Sequence, residues 1–265
     1  MAITIRMLTV TDIHRQVGLY RELVEAVRIH RPHIVACVGD FLHGGPENEG
    51  RLSSKQAAEI LAGLPCQEVL FVRGNHEDHH WLTFAEAWER TRRPLYALHG
   101  EGFAYEALTV LGFPCFLGME EAFLGDRNPL PQDPNAWLPG LLDAWGEAGK
   151  GIWLMHEPLA GTALSEPDTP VAGNPEWTDA ILHHQPILTI SGHDHRSPIR
   201  NRCWAVRTGK TWSINVGQTP RGPLHFCLVD AEYRWPRPSL PRHVTVRAFP
   251  WNETLEIDPN ESVTT

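Results

Sequence analysis

IVACVGD, residues 34–40, and VLFVRGNHE, residues 69–77, decide the architecture. In each, a short unbroken run of apolar side chains, rich in β-branched residues, ends abruptly in small and polar ones. A run of that length without polar alternation is a strand buried on both faces, the kind found in parallel sheets covered by helices. Gly39 and Gly74 mark where the chain leaves the strand in a sharp turn and brings its backbone close to a ligand.

Working outward, Met1 to Val10 alternates polar and apolar residues and runs straight into Asp12, which fits a first strand better than a signal peptide. Leu19, Leu23 and Val27 then recur at helical spacing, and Pro32 closes that helix before residue 34. Ser53 with Gln56 has the form of a capping box, Ile60 and Leu61 continue a buried face, and Gly63 with Pro65 marks the stop. A further helix is expected near His80 to Arg90. Phe103 to Phe113 has the broken alternation of a hairpin, where a second sheet begins. Ile152 to Met155 and Ile187 to Ile190 are two more short apolar runs. They are flanked by loops at 114–139 and 157–175, rich in Pro and Gly, which would wall a pocket and set its specificity. From Trp204 onward the runs Trp212–Val216, Leu224–Val229 and Val244–Phe249 are strand-like and are expected to complete the second sheet. Residues 1–251 then form one α/β domain, and 252–265 a polar, loosely held tail.

Composition narrows the function. The 265 residues are 42% hydrophobic and 21% charged, those of an ordinary globular protein. A formal net charge of -9 repels nucleic acid backbones, so extended DNA or RNA binding is not expected. A small phosphorylated substrate stays open, because bound metal ions would dominate the local field. The five cysteines are scattered and form no CxxC pair, which suits a reducing compartment. No apolar run is long enough to span a membrane, and the cytoplasm is the expected address. Ten tryptophans could supply a base-stacking platform, but Trp153 and Trp212 lie in strand-like runs and are expected in the core. Nothing in the sequence fixes an oligomeric state.

The chemistry sits at the strand ends. Five apolar runs end, in order, in Asp12 and His14; Gly39 and Asp40; Gly74, Asn75, His76 and Glu77; His156; and Gly192, His193, Asp194 and His195. Open α/β sheets bind ligands at the carboxyl ends of their strands, so this topology would deliver aspartate, asparagine and histidine side chains from all five to one place. A lone DxH or HxH pair arises easily by chance among fifteen histidines, whereas the ordered set does not.

DIH at 12–14, GD at 39–40, GNHE at 74–77, His156 and GHDH at 192–195 together resemble the calcineurin-like metallophosphoesterases, over most of the chain. The resemblance implies a four-layer α/β/β/α sandwich of two mixed sheets flanked by helices. It implies two divalent metal ions. Asp12, His14, Asp40 and His195 would hold one; Asp40, Asn75, His156 and His193 would hold the other, with Asp40 and a hydroxide as bridges. Nitrogen and oxygen donors suit manganese, iron, zinc, cobalt or nickel. Two ions roughly 3.5 to 4 Å apart generate hydroxide near neutral pH and neutralise the phosphoryl oxygens for in-line attack. His76, a non-ligand by the same resemblance, would act catalytically on the leaving oxygen. Asp194 would face away from the metals and support a ligand.

Protein serine/threonine phosphatases of this superfamily continue after GD with a second aspartate and an arginine, where this chain has His43 and Gly44. Without that clamp a protein phosphatase is disfavoured. The GHDH ending and the compact size resemble instead the branch containing small bacterial phosphodiesterases. The expected activity is therefore hydrolysis of a small phosphodiester, nucleotides included. A phosphomonoesterase using the same site and a non-catalytic metal-binding scaffold are the alternatives. Arg196, His79 and His80 are the nearby candidates for substrate contact. A metallo-β-lactamase site would need HxHxDH, and His195 is followed by Arg196 and Ser197.

Overall fold

Parallel pairing follows from apolar runs that have no polar face to give to water. In the computed structural model, which describes residues 2–42, 50–77, 80–113, 115, 133–167, 169, 172–219, 222–234 and 239–260, β1 (Ala2–Val10), β2 (Ile34–Val38) and β3 (Glu68–Val72) lie side by side in parallel. Helices α1 (Val17–His30) and α2 (Ser54–Ala62) connect them. The Ser53–Gln56 capping box forms as the sequence predicts, and Gly63 ends α2. After α3 (Trp81–Glu89) and β4 (Tyr96–Ala97), the hairpin of β5 (Glu101–Tyr105) and β6 (Leu108–Phe113) opens the second sheet. Next come α4 (Leu138–Trp145), β7 (Ile152–Met155), α5 (Pro175–His184), β8 (Leu188–Ile190) and the short α6 (Ser197–Asn201). The strands β9 (Ala205–Thr208), β10 (Thr211–Ile214), β11 (Phe226–Arg234), β12 (His243–Phe249) and β13 (Glu253–Ile257) finish the described chain.

The first sheet has the order β13-β12-β11-β1-β2-β3-β4 and the second β5-β6-β7-β8-β10-β9. Strand alternation sorts the side chains into three cores. Ile5, Met7, Ala36, Val38, Leu70 and Val72 of the first sheet meet Val110, Ile152, Leu154, Leu188 and Ile190 of the second between the sheets. Leu8, Val10, Val35, Cys37 and Phe71 face outward against Leu23, Leu61, Phe84 and Trp88 of α1 to α3. Phe113, Trp153 and Met155 face outward against Leu138, Trp177 and Ile181 of α4 and α5. The result is the expected four-layer α/β/β/α sandwich.

Three expectations are corrected. β9 and β10 join the second sheet, but β11, β12 and β13 extend the first, because β11 pairs antiparallel along the whole of β1 from Ala2↔Arg234 to Val10↔Phe226. The stretch after Trp251, expected as a loose tail, supplies β13; it pairs with β12 from Val244↔Ile257 to Ala248↔Glu253, and Ile257 is buried. Glu253, Thr254 and Glu256 are exposed on this edge strand, which is why composition alone suggests a tail. Trp153 is buried as expected, but Trp212 is only partly so, and the Arg207 guanidinium lies over its ring at 5.8 Å from the centroid. The loop expected at 114–139 is described only at Cys115 and from Asp133, where a turn of 3₁₀ helix at Pro134–Ala136 leads into α4. Among the described residues no helix is long and apolar enough to cross a membrane, and the five cysteines are free thiols.

If β13 closes the sheet as described, Ile257→Ala lowers the unfolding free energy by about 2–3 kcal/mol. Leu82→Ala, at a side chain that is 74% exposed, changes it by less than about 0.5 kcal/mol. Urea unfolding compares the two, and equal small losses would mean that 253–257 behaves as a tail.

Candidate metal centre

The carboxyl ends of β1, β2 and β3 in one sheet and of β7 and β8 in the other point to the same seam between the sheets. Backbone hydrogen bonds stitch the emerging turns together: Asp12 N–H donates to Gly39 O, His14 N–H to Asp40 O and Gly192 N–H to His156 O. Asp12, His14, Asp40 and His193 all adopt positive φ, at 57°, 49°, 56° and 64°. Such conformations cost non-glycine residues about 1–2 kcal/mol each. Strain gathered on four neighbouring polar residues is a mark of a functional site.

Two groups of potential ligand atoms result. Asp12, His14, Asp40 and His195 bring theirs within 4.8 Å of one another, and so do Asp40, His156 and His193. Asp40 belongs to both. The Nε2 atoms of His14 and His195 are 3.2 Å apart, His195 Nε2 is 3.2 Å from Asp12 Oδ1, and His156 Nε2 is 3.3 Å from Asp40 Oδ2. Asn75 Oδ1 lies 3.1 Å from His193 Nδ1, which places it beside the second group. The predicted ligand residues are thus brought together.

The donor set fits two cations. Asp12 and Asp40 are essentially fully buried, and an ionised buried carboxylate is tolerable only beside positive charge. Burial acts to raise Asp40, yet the charge and hydrogen bond of His156, with His14 and His76 behind them, hold it well below the usual carboxylate range. Burial likewise opposes ionisation of Asp12, and His195 overcomes it. In return, although burial pulls both imidazoles down, Asp40 lifts His156 to about 10 and Asp12 raises His195. Burial drives His14 down to about 4, which keeps its imidazole neutral, the form that binds metal. His156 Nδ1–H donates to Val38 O at 2.9 Å, which fixes the tautomer and turns Nε2 toward Asp40. Metal ions would bind at the Nε2 atoms of His156 and His195, which face Asp40 and Asp12.

The residues that hold the ligands are less obvious from sequence. The Glu77 carboxylate, fully buried, accepts from four backbone N–H groups, those of Asp40, Phe41, Leu42 and Gly74. It therefore clamps the turn after β2 to the turn after β3. Burial and the charge of Asp40 push its carboxyl up to about 7, while the Leu42 and Asp40 amides work in the other direction. A side chain at Gly74 would collide with the Asp40 carboxylate and the His156 ring, which accounts for glycine there. Asp194 accepts from the N–H groups of Arg196, Ser197 and Glu166, and so shapes the turn carrying His193 and His195 through backbone rather than through a histidine ring. Asn215, just past β10, donates to Gly192 O and Asp194 O and holds the same turn.

A cleft of about 280 Å³ opens over the centre, lined by Asp12, His14, Gln16, Arg51, His76, His195 and Gln218. His76 belongs to neither ligand group. Its N–H donates to Asp40 Oδ1 at 2.9 Å, its Nε2 lies 3.9 Å from Asp40 Oδ2, and its side chain is 38% exposed in the cleft. Arg196 is exposed ahead of α6 and His80 half-buried ahead of α3, and neither lines the cleft. His79, like His43 and Gly44, lies outside the described residues. Gln16, Arg51, Gln218 and Asn215 were not among the residues predicted from sequence. The strand-end rule applied to β10 would have found Asn215 and Gln218; no motif marks Arg51.

Glu77→Gln places an amide donor against an array of N–H donors, so it is expected to lower stability by about 2–5 kcal/mol and to weaken metal retention. Thermal unfolding and metal analysis after dialysis would check this, and wild-type retention would show that the clamp is dispensable.

Comparison with known proteins supports the architecture. A dimetal phosphatase from Danio rerio superimposes with a TM-score of 0.64 at 14% identity, covering 97% of this chain and 99% of that one. A protein of Thermus thermophilus gives 0.58 at 13% identity, covering 97% and 100%. The anchor in the inner membrane complex of Plasmodium, GAP50, gives 0.57 at 12% identity, covering 98% and 90%. At such identities the likeness is one of fold. No curated protein matches the sequence. The model of the calcineurin-like phosphoesterases matches residues 5–197, a span that runs from β1 through the last ligand-bearing turn. With the match extending over most of the chain, this protein belongs to the calcineurin-like phosphoesterase family.

Proposed function

We propose that the chain is a dinuclear metal-dependent hydrolase of small phosphodiesters, nucleotides among them. The observation that supports this best is the pair of ligand groups sharing Asp40 beneath an open cleft. The first ion would be held by Asp12, His14, Asp40 and His195, and the second by Asp40, Asn75, His156 and His193. When bound, the two ions supply Lewis acidity for the phosphoryl oxygens and bring the pKa of water toward neutrality.

The chain's own residues do the rest. Burial of Asp12 and Asp40 excludes water beneath the substrate, and the imidazoles of His195 and His156 favour the ionised form of both carboxylates, the form that serves as a ligand. His76, anchored through its backbone to Asp40 and open to the cleft, holds a proton at Nε2 for the departing alcohol. Its position outside both ligand groups suits that role. The net charge of -9 favours a compact substrate over a nucleic acid chain. Free cysteines in the core suit the cytoplasm.

A phosphomonoesterase is the second reading, favoured by one observation: Arg51 adds a permanent positive charge to the cleft. The scaffold reading has less support. An anchor protein shares this fold, but a chain that had lost catalysis would have no need to keep both ligand groups intact.

Hydrolysis of a chromogenic phosphodiester and the matching monoester by metal-stripped protein reloaded with manganese separates these readings. Faster diester cleavage is expected, abolished in Asp40→Asn; a monoester preference would move the assignment to the second reading, and metal binding with turnover of neither would overturn both. His76→Asn should lower kcat about 100-fold or more while manganese content stays at the wild-type level. Loss of metal in that variant would make His76 a ligand instead.

A further inference from the structure

Arg51 has no counterpart in the motifs that identify the family in this chain. It enters from the segment after β2, and its backbone is fixed on both sides to the strip that follows the ligand pair Asp12 and His14. Val17 N–H donates to Gly50 O at 3.0 Å and Leu52 N–H to Arg15 O at 2.8 Å, with Gln16 and Arg51 forming an antiparallel bridge between them. The side chain therefore starts from a fixed point on the rim of the metal cleft.

Several other arginines have evident structural partners. Arg6 and Arg247 pair with Asp230, Arg200 pairs with Glu166, and Arg93 donates to the carbonyls of Ala62, Leu64 and Cys66. Among the described residues the Arg51 side chain has no such hydrogen bond or ion pair. Among the described residues lining the cleft it is also the one whose charge does not depend on pH, since the others are carboxylate, imidazole or amide. A guanidinium with no partner among the described residues, on the rim of a candidate phosphoesterase centre, is placed to bind phosphoryl oxygens.

We infer that Arg51 is the substrate-binding clamp of this cleft, and that it discriminates by the number of free phosphoryl oxygens. The inference rests on the phosphoesterase reading above. Inorganic phosphate and phosphomonoesters have at least three non-bridging oxygens and diesters two. A phosphoryl group turning two oxygens toward the ligand groups leaves a charged third oxygen for Arg51 in the first case and an ester oxygen, a much weaker acceptor, in the second. Arg51 thus carries the charge that answers that third oxygen. Its contribution is larger for a monoester and for the phosphate product than for a diester.

The test is calorimetric titration of inorganic phosphate into the manganese-reloaded wild type, Arg51→Gln and Arg51→Lys, with manganese content measured for each. Phosphate affinity is expected to fall about tenfold or more in Arg51→Gln and less in Arg51→Lys, at equal metal content. KM for the monoester should rise by a similar factor, and KM for the diester by less than about threefold. Equal phosphate affinity in the wild type and Arg51→Gln, or no phosphate binding by the wild type, would overturn the inference. If the wild type cleaves esters while Arg51→Gln binds phosphate normally, the clamp fails and the hydrolase stands. If phosphate binding weakens in Arg51→Gln but neither ester is turned over, the clamp stands and the hydrolase fails.

Discussion

Two carboxylates, Asp12 and Asp40, are buried side by side where the two sheets meet. Removing an ionised carboxylate from water costs several kcal/mol even after relaxation, and a second one nearby adds repulsion. The arrangement is stable only if positive charge is brought to the same place. Here the carboxylates raise both His156 and His195 against the pull of their burial, which favours the charged form of each imidazole beside them. His14, in the same group, is kept neutral. A site with two buried anions and imidazoles whose Nε2 atoms converge on them has the electrostatic form of a pair of cation sites.

The rest of the fold can be understood as what is needed to assemble that cluster. Layering two sheets brings the carboxyl ends of β1, β2 and β3 against those of β7 and β8. Positive φ at four ligand residues lets short turns aim their side chains back into the seam. The strain is offset by an array of amide hydrogen bonds, chiefly the four N–H groups converging on Glu77 and the turn held by Asp194 and Asn215. Each side chain in that array is buried and anchored to backbone, so the ligand geometry is set largely by the protein before any ion arrives.

Strand ends were legible in the sequence because apolar runs buried on both faces stop abruptly, and every predicted metal ligand lies within a few residues of such a stop. The edge strands were not. β13 has one buried apolar residue among polar neighbours, so its sequence looks like a tail, and its place depends on a partner, β12, that follows from no local signal. The allegiance of β11 to the first sheet is likewise decided by long-range pairing with β1. Glu77 was visible as part of GNHE, but its role depends on backbone amides contributed from residues 40–42. Arg51 reaches the cleft through a single bridge to Gln16, and pattern reading has no rule for such a contact.

The proposed dinuclear centre turns on Asp40 being shared by two ions. Manganese loading of the stripped protein, followed by metal analysis and electron paramagnetic resonance, tests it most directly. Two manganese ions per chain with an exchange-coupled spectrum are predicted, with loss of that coupling in Asp40→Asn. A single ion per chain, or two with the spectrum of isolated manganese, would contradict it.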